Sequence, residues 1–276
     1  GNSERLAQLR ARVTPFMLRR TKALVAHELP PKIETVVPVQ LSGAQADLYE
    51  TIRLGMEKTV REALQSKGLA KSQITILDAL LKLRQACCHP ALVPLDAAKT
   101  VKTSAKLEQL MALLPEMLAE GRRILLFSQF TSMLTLIEAE LKKRGLPWVK
   151  LTGQSVKRDA IIERFTSGQV PLFLISLKAG GVGLNLPQAD TVIHFDPWWN
   201  PAVEDQATDR AHRIGQRQSV WVIKLVAQGT IEEKILALQE RKAQLAGSLY
   251  SGAASRKEPM FTEGDLAELL QPLSLS

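Results

Sequence analysis

Apolar residues recur at two different periods along the chain, and the change between them divides it. From Leu48 to His89 they follow helical spacing: Leu48, Tyr49 and Ile52, then Ile74, Leu77, Leu80, Leu81 and Leu83, three or four apart. The spacing predicts a helix starting near Ala44, with Ser42 able to cap it, and a second helix that Pro90 ends. Ahead of them "IETVVPVQLS" reads as a strand, and Pro38, which has no N–H for a ladder, makes it an edge or irregular one. The opening "RLAQLRARVTPFMLRRTKALVAHELPPK" begins helical and stops at Pro30–Pro31, and "VPLDAAKTVKTS" is a connector.

From Ser104 the rhythm alternates. A helix bearing Leu107, Leu110, Leu113, Leu114 and Leu118 precedes the short run "RRILLFSQF". Helix 131–144, strand "WVKL", helix 156–167, strand "PLFLIS", a glycine loop, strand "TVIHF", helix 201–213 and strand "SVWVIKLV" follow. Such alternation predicts an α/β fold, a parallel sheet with helices on both faces, whose ligands meet the carboxyl ends of the strands. After Gly229, "TIEEKILALQERKAQLAGSLY" predicts a helix capped by Thr230, with Glu233 at its third position. The tail from Ser251 is small and polar, then weakly helical, and is expected to be flexible. No internal repeat and no low-complexity tract interrupts this order.

Composition narrows the class. The 276 residues are 45% hydrophobic and 23% charged, enough for a sizeable core without disulfides. The two cysteines are the neighbours Cys87 and Cys88. That usage suits a reducing compartment, and the adjacent thiols lack the spacing of zinc ligands, so no metal site is expected. No apolar run approaches the length of a membrane span and no signal peptide opens the chain. The polar start "GNSERLAQLR", without an initiator Met, is read as part of a longer protein. A net charge of +8 belongs either to solvated lysines or to an anionic partner such as nucleic acid.

Three stretches carry candidate chemistry. "SLKAGGVGLNL" places Gly180, Gly181 and Gly183 just after a strand. They serve either a tight turn or a set of backbone N–H groups facing a phosphate, with Ser176, Lys178 and Asn185 at the rim. The dinucleotide fingerprint G-x-G-x-x-G fails, because Leu186 stands where its third glycine belongs, and this excludes a Rossmann dehydrogenase. The string G-x-x-x-x-G-K-[ST] and a DEAD or DEAH box are absent, so the chain by itself cannot cradle and hydrolyse ATP in the P-loop manner. In "QATDRAHRIGQ", Gln206, Arg210 and Arg213 share a face if helical. Arg210 and Arg213 form either a solvated basic face or a bidentate phosphate clamp. "FDPWWNP" brackets Trp198 and Trp199 between prolines, either as core or as a stacking surface for a base or sugar. His27 and His194 read as structural, His212 as able to orient the arginines. Lys142, Lys143 and Arg144 read as cations at a helix end.

Taken together, these stretches resemble the C-terminal half of a superfamily 2 helicase, and more narrowly the Swi/Snf family of DNA-translocating ATPases. "PFMLRRTK" and "LPPK" resemble the family's link from its first lobe, and "LRQACCHP" its L-R-Q-x-C-x-H-P helix. "ILLFSQF" resembles motif IV, "LTGQ" the segment after it, and "SLKAGGVGLNL" motif V. "DTVIHFDPWWNPAVEDQATDRAHRIGQ" resembles motifs Va and VI, and "GTIEEKIL" the closing helix. The resemblance implies a RecA-like fold with a helical insertion and C-terminal brace helices. Its divisions would be a linker from the first lobe over 1–35, a strand and helical insertion over 36–103, a RecA-like helicase C-terminal core over 104–228, and a brace helix with a flexible tail over 229–276.

It further implies the second motor lobe of an ATP-dependent double-stranded-DNA translocase. Arg210 and Arg213 would be arginine fingers, and Gly181, Gly183 and Gln206 would line the nucleotide cleft. Ser128, Gln129 and the backbone after Ser128, Thr152, Lys178, Gly180 and Trp199 would contact DNA. ATP with Mg²⁺ would be bound mainly by the first lobe of the same protein, so this chain alone would be inactive. Partners would be double-stranded DNA, that first lobe, and a protein cargo or RNA polymerase, with no membrane. The alternatives are a non-catalytic nucleic-acid-binding module and half of an RNA polymerase-associated recycling ATPase. Trp198 departs from the family, which often has a small or acidic residue there. The stretch from Ala44 to Thr100 is short for the family and carries no histone reader, which points to a bacterial or archaeal member. The expected location is cytoplasmic, at the nucleoid in a bacterium and in the nucleus of a eukaryote.

Overall fold

The computed structural model describes residues 19–20, 32–41, 43–176, 184–211, 219–248 and 262–272. Its strands are β1 (Arg19–Arg20), β2 (Lys32–Val39), β3 (Ile124–Ser128), β4 (Val149–Leu151), β5 (Leu172–Ser176), β6 (Thr191–His194) and β7 (Val220–Ala227). Its α-helices are α1 (Gly43–Lys71), α2 (Gln73–Cys88), α3 (Ala105–Ala119), α4 (Thr131–Lys143), α5 (Arg158–Thr166), α6 (Pro201–Thr208), α7 (Ile231–Ser248) and α8 (Glu263–Leu269). The chain divides into two compact units: Gly1–Pro38 with Leu107–Trp198 and Ala202–Val226, and Val39–Lys106 with Trp199–Pro201 and Ala227–Ser276.

The first unit is built on a sheet of order β1-β2-β7-β6-β3-β5-β4. Registers from β7 through β4 are parallel, as the alternation of short apolar runs with helices requires. Every residue of β3 and of β5 is buried, the mark of strands covered on both faces. On one face Leu125, Phe127, Phe173, Ile175 and Val192 pack with Phe165 of α5 and Ala207 of α6. α4 packs against β3 and β5. The parallel register brings the carboxyl ends of β6, β3, β5 and β4 to one edge, with Phe127 opposite His194, Ser128 opposite Ser176 and Leu151 opposite Ile175.

The second unit is helical around Tyr49, Ile52, Leu80, Leu83, Cys87, Ile231, Ile235, Leu266 and Leu269. α1 kinks at Gly68 (φ 75, ψ 173), backbone that only glycine adopts readily. Ser72 Oγ then donates to Ala63 O at 2.8 Å across the kink. Two fully buried groups tie its helices together. Ile231 N–H donates to Tyr49 Oη at 2.8 Å. Lys106 Nζ lies 2.5 Å from Glu232 Oε1, with side-chain exposures of 0% and 1%. Burial pushes the Cys87 thiol well above its ordinary pKa, and His89 Nδ1 accepts its own turn's Ala91 N–H at 3.0 Å.

Several local expectations change. Arg19 and Arg20 form a two-residue antiparallel strand on Glu34 and Ile33, not part of an opening helix. β2 lies one strand in from the edge, but β1 covers it only there, and Pro38 sits beyond that pairing. Thr230 does cap α7, accepting the Glu232 N–H at 3.1 Å. The acid that turns back to the preceding backbone is the buried Glu232, on Ala227 N–H at 2.9 Å, and not Glu233, which is exposed. The stretch of the tail read as weakly helical does form a helix: Thr262 and Asp265 make a reciprocal capping box, and Leu266, Leu269 and Leu270 are buried. Apolar residues in that short helix find a core to enter, which overrides its weak propensity. Ser42 and His27 lie outside the described residues.

Candidate functional site

Ser128, Gln129, Thr152 and Ser176, four of the groups singled out by sequence, lie at the carboxyl ends of the parallel strands, which bury some of them. Ser128 ends β3 at 0% exposure. Its Oγ donates to Asp196 Oδ1 at 2.5 Å and accepts the Phe130 N–H at 3.1 Å. The Gln129 N–H donates to Asp196 Oδ2 at 3.2 Å. Ser128 and the backbone N–H groups after it are therefore committed inside the protein and do not face DNA, because a buried carboxylate must be met by donors. Gln129 is half-buried. Ser176 is also buried, which removes it from the rim of the glycine loop. Thr152 stays half-exposed just beyond β4; its N–H donates to Ser155 Oγ at 2.8 Å, and its Oγ1 accepts the Gln154 N–H at 3.4 Å. Asn185 is exposed.

The helix expected over 201–213 is shorter. α6 ends at Thr208, and the chain tightens into a turn through Arg210 N–H to Ala207 O and Ala211 N–H to Thr208 O. Ala207 and Ala211 both sink into the core cluster. Arg210 lies in this turn instead of one helical turn beyond Gln206, which is exposed on α6. The turn is anchored on both sides: Leu186 N–H donates to Arg210 O at 2.7 Å, and Arg210 Nη1 donates to Leu184 O at 3.3 Å. Leu184 and Leu186 are the arm that leaves the glycine loop, so motif V and the turn carrying Arg210 are bonded directly. Lys178, Gly180, Gly181, Gly183, His212 and Arg213 lie outside the described residues.

Trp199 is not a surface residue. It is 8% exposed within the helical unit's core, under the Arg84 guanidinium. Burying an indole against apolar neighbours outweighs leaving it wet, and the core reading of "FDPWWNP" applies to this position. Trp198 is half-buried, and its N–H donates to Glu204 Oε2 at 3.1 Å.

Beneath α6 lies a polar layer that sequence reasoning missed. Glu204 Oε1 is 3.5 Å from Lys224 Nζ. Beside it His194 Nε2 is 3.1 Å from Thr208 Oγ1, and the ring stacks on Phe127 with centroids 5.6 Å apart. Burial first, then the Lys224 charge, lowers the His194 pKa to about 3, so the imidazole is neutral and structural. The available signal was an acid directly after an apolar strand (Asp196) and another in the first turn of the next helix (Glu204).

A parallel sheet buried on both faces, with the arm Leu184–Leu186 bonded to the turn at Arg210, has the architecture of a RecA-like lobe. The sequence matches the helicase conserved C-terminal domain over residues 105–215 and the SNF2-related domain over residues 1–92. It is similar to the putative ATP-dependent helicase/translocase YwqA of Bacillus subtilis, 39% identical over 100% of this chain and 30% of that protein. The SWI2/SNF2 ATPase C-terminal domain of Sulfolobus solfataricus is 33% identical, with a TM-score of 0.65 over 89% of this chain and 99% of that one. The SWI2/SNF2 ATPase core of the same organism, solved in complex with dsDNA, is 36% identical, with a TM-score of 0.68 over 98% of this chain and 56% of that one. The chain belongs to the SWI2/SNF2 family, whose helicase C-terminal lobe it represents. It spans less than a third of the curated relatives it matches, 22% and 30% of the first two.

Proposed function

We propose that this chain is the second motor lobe of an ATP-dependent double-stranded-DNA translocase. The observation that carries the reading is the pair of bonds joining Arg210 to Leu184 and Leu186. They make the turn bearing Arg210 and the arm that leaves the glycine loop one mechanical piece. Arg210 and Arg213 act as fingers on the γ-phosphoryl group of ATP. Such groups neutralise charge that develops in the transition state and are worth about 10³–10⁵ in rate. Gly181, Gly183 and Gln206 line the cleft. ATP and Mg²⁺ are held mainly by a first lobe of the same protein, since no P-loop string occurs in the 276 residues. By itself the chain is expected to hydrolyse no ATP.

DNA phosphates are met along the strand ends, by Thr152, Lys178 and the N–H groups at Gly180. The net charge of +8 favours this partner, and contacts to phosphate carry no base code. Lobe closure on ATP and reopening after hydrolysis shift this edge along the duplex. The test is hydrolysis by the full-length protein carrying Arg210→Ala or Arg213→Ala. Each change is expected to abolish DNA-stimulated hydrolysis and to leave DNA affinity within a few-fold. Hydrolysis that survives both substitutions overturns the reading.

A further inference from the structure

The Ser128–Asp196 contact joins residues 68 apart in sequence and lies at the edge where DNA and nucleotide are proposed to act. Asp196 is 2% exposed. Its two oxygens divide their work: Oδ1 accepts Ser128 Oγ–H, and Oδ2 accepts Gln129 N–H. The neighbouring Phe195 N–H donates to Phe127 O at 2.9 Å. Two residues after Asp196, Trp198 N–H reaches Glu204 Oε2, and the other oxygen of Glu204 faces Lys224. Two sets of polar contacts, joined by the backbone from Asp196 to Trp198, thus tie the loop after β3 and the helix α6 that leads into the Arg210 turn to the loop after β6.

The side-chain chemistry is specific. An ionised carboxylate is an acceptor at both oxygens, so it can take the hydroxyl and the amide together. An asparagine of the same shape would turn its NH₂ toward one of those donors and lose that bond. Burying a carboxylate beside a surface meant for phosphates is unfavourable unless its charge is absorbed by donors, and these two donors are charge-assisted bonds of the stronger kind.

We infer that Asp196 is a positioning residue of the motor, locking the end of β3 to the loop after β6 so that the strand-end edge proposed to meet DNA and the Arg210 turn beyond α6 respond as a unit. The inference rests on the motor reading above. It differs from a role in contacting either ligand, since Asp196 is buried and acts through Ser128 and Gln129.

The test uses the full-length protein with D196N, S128A, S128T and the D196N/S128A pair. ATP hydrolysis is measured with and without double-stranded DNA, alongside DNA affinity and Tm. D196N is expected to leave DNA-independent hydrolysis within twofold and to lower DNA-stimulated kcat by about tenfold, the scale of one lost charge-assisted hydrogen bond. S128A is expected to share the defect, S128T to restore stimulation, and the pair to be no worse than D196N, as for residues acting through one network. Stimulation that D196N leaves intact overturns the inference alone. A parallel fall of basal and stimulated rates with a lowered Tm also overturns it, because that marks a scaffold residue only. A wild-type enzyme whose hydrolysis DNA does not stimulate overturns the motor reading, and this inference with it.

Discussion

The guanidinium carbon of Arg84 lies 5.1 Å from the centre of the Trp199 ring, and the two side chains are 6% and 8% exposed. A helix of the second unit thereby holds the aromatic residue of the loop that follows β6. The pairing gives Trp199 a structural function: Trp199→Ala should destabilise the chain by about 3–5 kcal/mol, the range for emptying a buried aromatic site, and Trp199→Phe by less. Urea unfolding with an unchanged m-value reads this out. A loss of DNA affinity at undiminished stability would contradict it.

The buried Lys106–Glu232 pair should show strong non-additivity. Lys106→Met leaves Glu232 as an uncompensated buried charge and should lower stability by about 3–5 kcal/mol. Adding Glu232→Gln removes that charge and keeps an acceptor for Ala227 N–H, so the double variant should regain stability over the single one. Denaturant midpoints of Lys106→Met, Glu232→Gln and the double variant check the ordering.

Stability should fall on acidification through His194. Its pKa is lowered from 6.5 to about 3 by burial, so the unfolded chain takes up a proton that the folded chain refuses. The stabilisation is fully present above 6.5 and is lost progressively as pH falls toward about 3. Between pH 6.5 and 5 this group alone should remove about 2 kcal/mol. His194→Gln, although less stable at pH 7, should flatten that part of the pH profile measured by chemical denaturation.

The last helix should contribute measurable stability. Thr262→Ala removes the cap that accepts Asp265 N–H at 3.1 Å and should lower stability by about 1 kcal/mol. Leu266, 1% exposed, should lower it by about 2–5 kcal/mol when replaced by Ala. A truly flexible tail would show neither effect in thermal or urea unfolding.

Much of the site was legible because its signals are local. Glycines after an apolar run and arginines after a strand-linked helix mark a loop and a turn wherever the chain goes. Arg210 was singled out in this way, but the end of its helix was not: α6 stops at Thr208 and a turn follows through Arg210 N–H to Ala207 O. Ser128 and Trp199 had the composition of contact residues; only their partners, Asp196 and Arg84, turn them inward. Nothing local in the sequence marks Lys106 and Glu232 as a buried pair.

What the amino-acid order determined by itself is the alternation of strands and helices and the helical second unit. Each follows from hydrophobic period and turn residues within a short window. Only the tertiary structure decided which polar groups lie inside: Ser128 with Asp196, Lys106 with Glu232, His194 with Thr208. A buried polar group is tolerated only when a distant residue supplies its bond, and hydropathy along the chain says nothing about which residue that is.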